Sequence, residues 1–131
     1  MPYLNREDIL KVDDTQFQDV DVPEWGRVVR VRGLSGYDRN LYETSMAQIV
    51  GGRMVPEMSN RTAKLVARAI VDEDGNPMFN ELDIARLGQK SGVALQRVFD
   101  VAEELSGINQ AASITAAENL EPVLNDDSTS S

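Results

Sequence analysis

The chain has 131 residues, enough for one domain with a core of its own, and its 41% apolar content is ordinary for a globular protein. Its net charge is −9, from 22 acidic and 13 basic residues, which disfavours generic binding to nucleic acid or to anionic membranes. Cysteine and histidine are both absent, which excludes disulfides, thiolate metal sites, cysteine nucleophiles and the Ser-His-Asp triad, and removes the commonest general base.

Residues 1–19 read as a mobile arm with one short helical turn, Arg6–Leu10, capped by Asn5, whose Ile9 and Leu10 would dock on the body. Residues 20–33 read as a β-hairpin. Val20 and Val22 alternate with Asp19 and Asp21, Pro23-Glu24-Trp25-Gly26 is turn chemistry, and Val28–Arg32 returns. Val29 and Val31 share one face of the return strand. Arg30 and Arg32 share the other, placed opposite Asp19 and Asp21. A lone hairpin is marginal in water, so one face should pack on helices.

Four short helices should follow. The first spans about 35–50, opened by Ser35 with Asp38 and stopped by Gly51-Gly52. Leu34, Tyr37, Leu41, Tyr42, Ser45, Met46 and Ile49 fall on one face of it. A loop over 51–58 leads to the second helix, about 60–71, capped by Ser59 or Asn60, with Ala63, Val66, Ala67 and Ile70 as its stripe. Asp72-Glu73-Asp74-Gly75-Asn76-Pro77 is a strong turn. The third helix, about 80–88, has Asn80 as its cap and Leu82, Ile84 and Leu87 as its apolar positions. The fourth, about 91–106, starts at Ser91 and ends at Gly107. Its stripe is Ala94, Val98, Val101, Ala102 and Leu105, widened by Leu95 and Phe99. The expected class is α+β, mainly α, with one globular domain over 20–107.

The acidity is uneven. Residues 1–106 carry a net −5, whereas 107–131 hold Glu118, Glu121, Asp126 and Asp127 with no basic group. Residues 108–131 therefore read as a flexible acidic tail. No apolar run approaches a membrane span and no signal pattern opens the chain, so a cytoplasmic protein is expected.

Candidate chemistry is thin. Asp72, Asp74 and Asn76 have the 1, 3, 5 spacing of an EF-hand loop. Pro77 stands where its glycine belongs and Asp83 where its bidentate Glu belongs, which favours a solvated turn. Glu103-Glu104 and Asp126-Asp127 are adjacent pairs, with nothing to mark the cleft a glycosidase needs. Gly51-Gly52 and Gly33-x-x-Gly36 lack the Lys-Ser/Thr of a phosphate loop. Arg27, Arg30 and Arg32 form the one basic cluster, near Trp25, where a single-strand platform competes with neutralisation by Asp19, Asp21 and Glu24. Trp25 either folds back on the core or anchors a partner. No catalytic, metal-binding or cofactor-binding residue is nominated, and no cofactor is expected.

The order of the pieces carries a resemblance. Val20–Gly36 runs into Tyr37-Asp38-Arg39, then come Ala69–Phe79, Leu87-Gly88-Gln89-Lys90-Ser91, Arg97-Val98-Phe99 and Glu104-Leu105-Ser106-Gly107. Over about residues 5–107 this resembles the tail assembly chaperones of long-tailed bacteriophages and prophages. The resemblance implies a non-catalytic protein of the host bacterial cytoplasm that holds the tape measure protein before the tail tube forms, and that is absent from the virion. It also implies contacts with tail tube protein or with other copies, and in many members a frameshifted longer form. Four amphipathic helices could leave a groove for a partner helix, and Tyr37, Tyr42, Met46 and Met54 could line it; ordinary core is the competing reading, favoured for Tyr37 and Met46. Trp25, Arg30 and Arg32 complete the nominated partner-binding residues. The alternative from another class is an acidic decoy that mimics nucleic acid, which needs acids aligned in a regular stripe.

Overall fold

A computed structural model describes residues 2–108. In chain order the elements are α1 (Arg6–Lys11), β1 (Phe17–Val22), β2 (Arg27–Arg32), α2 (Gly36–Thr44), β3 (Ala47–Val50), β4 (Arg53–Pro56), α3 (Arg61–Ala69), β5 (Ile70–Val71), α4 (Ile84–Leu87) and α5 (Gly92–Ser106). Single 3₁₀ turns cover Pro23–Trp25 and Glu81–Asp83. The mainly α, α+β class expected from the sequence is the class observed. The acidic tail lies, from residue 109 on, outside the described residues.

Strands β1, β2 and β5 form an antiparallel sheet in that order, with Val20 opposite Val29 and Val31 opposite Ile70. Period-2 alternation puts Val20, Val22 and Val31 on one face, where all three are buried. Helices α5 and α3 pack on each other behind that face. Phe99, Val98 and Ala94 of α5 meet Leu65, Val66 and Ala69 of α3 at the centre of the core, and all six are essentially fully buried. Leu65 lies off the apolar stripe read from the sequence. It is buried because α3 also contacts α2 and α4 and so presents more than one face to protein.

The helix starts are local chemistry. Asn5 and Asp8 form a reciprocal capping box on α1. Ser35 accepts from the Asp38 amide and Ser91 from the Ala94 amide. Asn60 precedes α3 in a left-handed conformation (φ 56°) and its side chain makes no capping bond, so that helix lacks the cap expected of it.

Three expectations are corrected. The first helix does not reach residue 50: it ends at Thr44, and 47–56 form a second hairpin, β3 with β4. Gly51 and Gly52 both take positive φ (59° and 78°), as a two-residue type I′ turn demands, and Val50 pairs with Arg53 across it. The glycine pair thus reverses a strand and does not stop a helix. The second helix ends at Ala69, because Ile70 turns extended (φ −75°, ψ 129°) and joins β2 as a third strand. Finally, Ile9 and Leu10 do not dock on the body; they are 55% and 64% exposed.

Candidate partner-binding surfaces

Two features present apolar surface to solvent. The first is the β3–β4 hairpin, whose main contacts are between its own strands. Ile49 and Met54 pair across it on one face, 72% and 73% exposed. Val50 and the following Met58 are exposed as well. Isolated exposed apolar residues are commonplace, but Ile49 and Met54 side by side on one face of a hairpin that packs mainly on itself make a small apolar patch, with Val50 on the other face and Met58 just beyond β4.

The second is a groove of about 730 Å³ lined by Trp25, Phe79, Asp83, Arg86, Leu87, Gln89 and Lys90. Trp25 and Phe79 are half-buried and pack against the core, and Leu87 is buried beneath them. Trp25 therefore folds back on the core in part, and the rest of its ring forms a wall of the groove. The turn that carries it is held to α5 by a two-bond pair between Arg97 and Glu24, the Nη2–Oε2 bond being 3.2 Å. Hydrogen bonding from Arg97 holds the Glu24 carboxyl below its ordinary range.

The other nominated residues do not converge on either feature in the way expected. Tyr42 is 4% exposed and belongs to the core, so it cannot line an open groove; burial pushes its phenol pKa up. Met46 is half-buried against the core, whereas Tyr37, for which core was the favoured reading, is 73% exposed. Arg30 does face Asp19, at 3.0 Å. Arg32 does not face Asp21: it stands opposite Phe17, reaches Asp38 at 3.2 Å and donates twice to the Arg68 carbonyl, which ties β2 to α2 and α3. Phe79, Leu87, Arg86, Lys90 and Val50 were not nominated. The signal for the groove was weak, because Trp25 stands far in sequence from the contiguous stretch 79–90 that supplies the other walls.

The acidic turn serves its own backbone. The Asp72 carboxylate accepts from the amides of Asp74 (2.9 Å) and Asn76 (3.0 Å), and no acidic cluster able to hold a metal occurs among the described residues. Seven acids, spread from α1 to α5, each lie within ion-pair distance of an arginine, so the acidity of the body is interleaved with basic groups. Glu103 pairs loosely with Arg61 (3.7 Å), which also lies 4.7 Å over the Phe99 ring; burial pushes the Glu103 carboxyl pKa up despite that neighbour. No helix among the described residues is long and apolar enough to cross a membrane.

These features describe a small α+β domain with exposed apolar surface on a projecting hairpin and in a groove. A family model described as phage tail assembly chaperone matches residues 7–121, and the chain belongs to that family. The solved structure of the bacteriophage HK97 tail assembly chaperone is similar in fold, with a TM-score of 0.54 and 22% identity, over 72% of this chain and 85% of that one. No curated protein matches the chain.

Proposed function

We propose that this protein binds the tape measure protein in the host bacterial cytoplasm and keeps it soluble until the tail tube assembles, without catalysing a reaction and without entering the finished virion. The observation that carries this reading is the cross-strand pair of Ile49 and Met54, exposed on one face of a hairpin that the protein's own core leaves uncovered. A holding protein needs such a patch, and unbranched methionines let it fit more than one partner sequence. Its net charge of −9 keeps the exposed patch from causing aggregation. Of the residues nominated from the sequence, Met54, Tyr37 and Arg30 are exposed and Trp25 and Met46 are half-buried, so these five keep accessible surface for this role; Tyr42 is withdrawn and Arg32 is reassigned to structure. Contacts with the tail tube protein, and between copies through the free edge of β1, belong to the same reading. The interleaving of acids with arginines weighs against the nucleic-acid decoy.

Co-expression with the tape measure protein tests the proposal. The wild-type chain should co-purify with it and raise its soluble fraction. The double variant Ile49→Ser/Met54→Ser should fold as before, because both side chains are exposed, yet bind at least roughly tenfold more weakly, since each buried apolar anchor contributes about 1.5–3 kcal/mol. Absence of co-purification, or undiminished binding by the double variant, refutes it.

A further inference from the structure

The groove beneath Trp25 is chemically distinct from the hairpin patch. Its floor is aromatic and aliphatic (Trp25, Phe79, Leu87), and its rim carries two exposed cations, Arg86 and Lys90, with one acid, Asp83. Neither cation forms an ion pair among the described residues, whereas seven of the chain's arginines do. An apolar floor with a cationic rim fits an acidic peptide that carries aliphatic side chains.

Such a peptide lies within the same chain. Residues 118–127, Glu-Asn-Leu-Glu-Pro-Val-Leu-Asn-Asp-Asp, hold four acids and three aliphatic residues, Leu120, Val123 and Leu124, with no basic group. The described residues end at Ile108, just past the end of α5, while Gln89 and Lys90 of the groove sit just before the start of α5. A 15-residue helix is about 22 Å long. The ten residues from 109 to 118 span up to about 33–36 Å when extended, so the acidic segment begins within reach of the groove. Tethering also raises its local concentration to roughly the millimolar range, so weak intrinsic affinity suffices.

We infer that the Trp25–Phe79–Leu87 groove is a docking site for the acidic segment 118–127 of the same molecule, with Leu120, Val123 and Leu124 on the apolar floor and the carboxylates toward Arg86 and Lys90. A segment held in this way occupies the groove against outside partners and is displaced by any that bind it better. The inference does not depend on the identity of the protein held by the hairpin.

The chain has no native cysteine and a single tryptophan, which makes the test direct. A nitroxide is attached to Asn125→Cys in the full chain, and the amide and indole resonances are recorded with the label oxidised and reduced. The expected result is loss of the Trp25 indole, Phe79, Leu87 and Lys90 signals, with those of Tyr37 and Ile49 retained. The lost signals should return in about 1 M salt, where the screening length falls to about 3 Å, and in the exposed double variant Arg86→Glu/Lys90→Glu. Uniform attenuation, attenuation elsewhere, or no attenuation overturns the inference. So does equal attenuation in a mixture of spin-labelled and isotope-labelled chains, which would place the segment on a second copy.

Discussion

Among the glycines of the described residues, Gly33 sits closest to another element's backbone. A Cβ at this position would lie 2.5 Å from the Leu105 carbonyl oxygen and 3.0 Å from its carbon, both backbone atoms of the last turn of α5. Neither can swing aside as a side chain would. The strand end or the helix must retreat by roughly 0.9 Å to reach an ordinary 3.4 Å contact. Two hydrogen bonds oppose that retreat: the Gly33 amide donates to the Gln16 carbonyl at 2.8 Å, and the Leu34 amide donates to the buried Ser106 hydroxyl at 2.9 Å. Overpacking of this kind costs about 1–3 kcal/mol. The stiffer unfolded chain of the alanine variant offsets about 0.4–1 kcal/mol of it. Gly33→Ala should therefore destabilise the protein by about 1–2 kcal/mol. Gly36→Ala is the control. Gly36 is the first residue of α2, its Cβ would meet nothing within 4 Å, and alanine there should add about 0.5–1 kcal/mol of stability. Urea unfolding followed by Trp25 fluorescence reads both, with the Gly33→Ala midpoint falling by about 0.5–1 M at an unchanged slope. A Gly33→Ala midpoint at or above that of the wild type would refute the close approach of β2 to α5.

Arg32 and Arg30 were nominated together but should behave differently. Arg32→Ala removes two bonds to the Arg68 carbonyl and a partly buried ion pair, and should lower stability by about 1–3 kcal/mol, whereas Arg30→Ala at an exposed pair should change it by less than about 1 kcal/mol. Equal midpoints in urea for the two variants would count against the structural role given to Arg32. Glu103 gives a pH-dependent outcome. Its folded pKa is raised by burial, so its contribution to stability is present below its ordinary value of 4.5 and lost as pH rises through the folded value. Glu103→Gln, which mimics the protonated acid, should raise the melting temperature at pH 7 and have progressively less effect as the pH falls toward 4. A gain that is the same at both values would sink this account.

Much of the fold was legible because its signals are local. Asn5, Ser35, Asn80 and Ser91 read as helix starts from their own side chains, with Asp38 adding to the signal at Ser35, and the structure places an element at each. The first hairpin followed from alternating valines around Pro23–Gly26. The second was missed for a physical reason. Tyr42, Met46 and Ile49 satisfy a helical period, while Ile49-Val50 and Met54-Val55 flanking two glycines satisfy a type I′ hairpin equally well. Short apolar runs do not separate these alternatives, and the positive φ of Gly51 and Gly52 does. The partner surfaces were the least legible. Met54, read as a groove residue, is exposed, whereas Tyr42, read the same way, is buried by the packing of α2 against α3.

Composition alone determined that this protein lacks the histidine and cysteine on which most active sites are built, and that its charge is divided between a mixed body and an acidic terminal stretch. Local sequence determined where most helices begin, because a cap is chemistry between neighbours. Only the tertiary structure decided that Ile70 and Val71 leave a helix to extend the sheet, that Arg32 is a strut, and that Trp25, Phe79 and Leu87 meet across more than sixty residues of chain to form a groove. Those outcomes depend on which faces are covered by other elements, and that is a property of packing which no single segment carries.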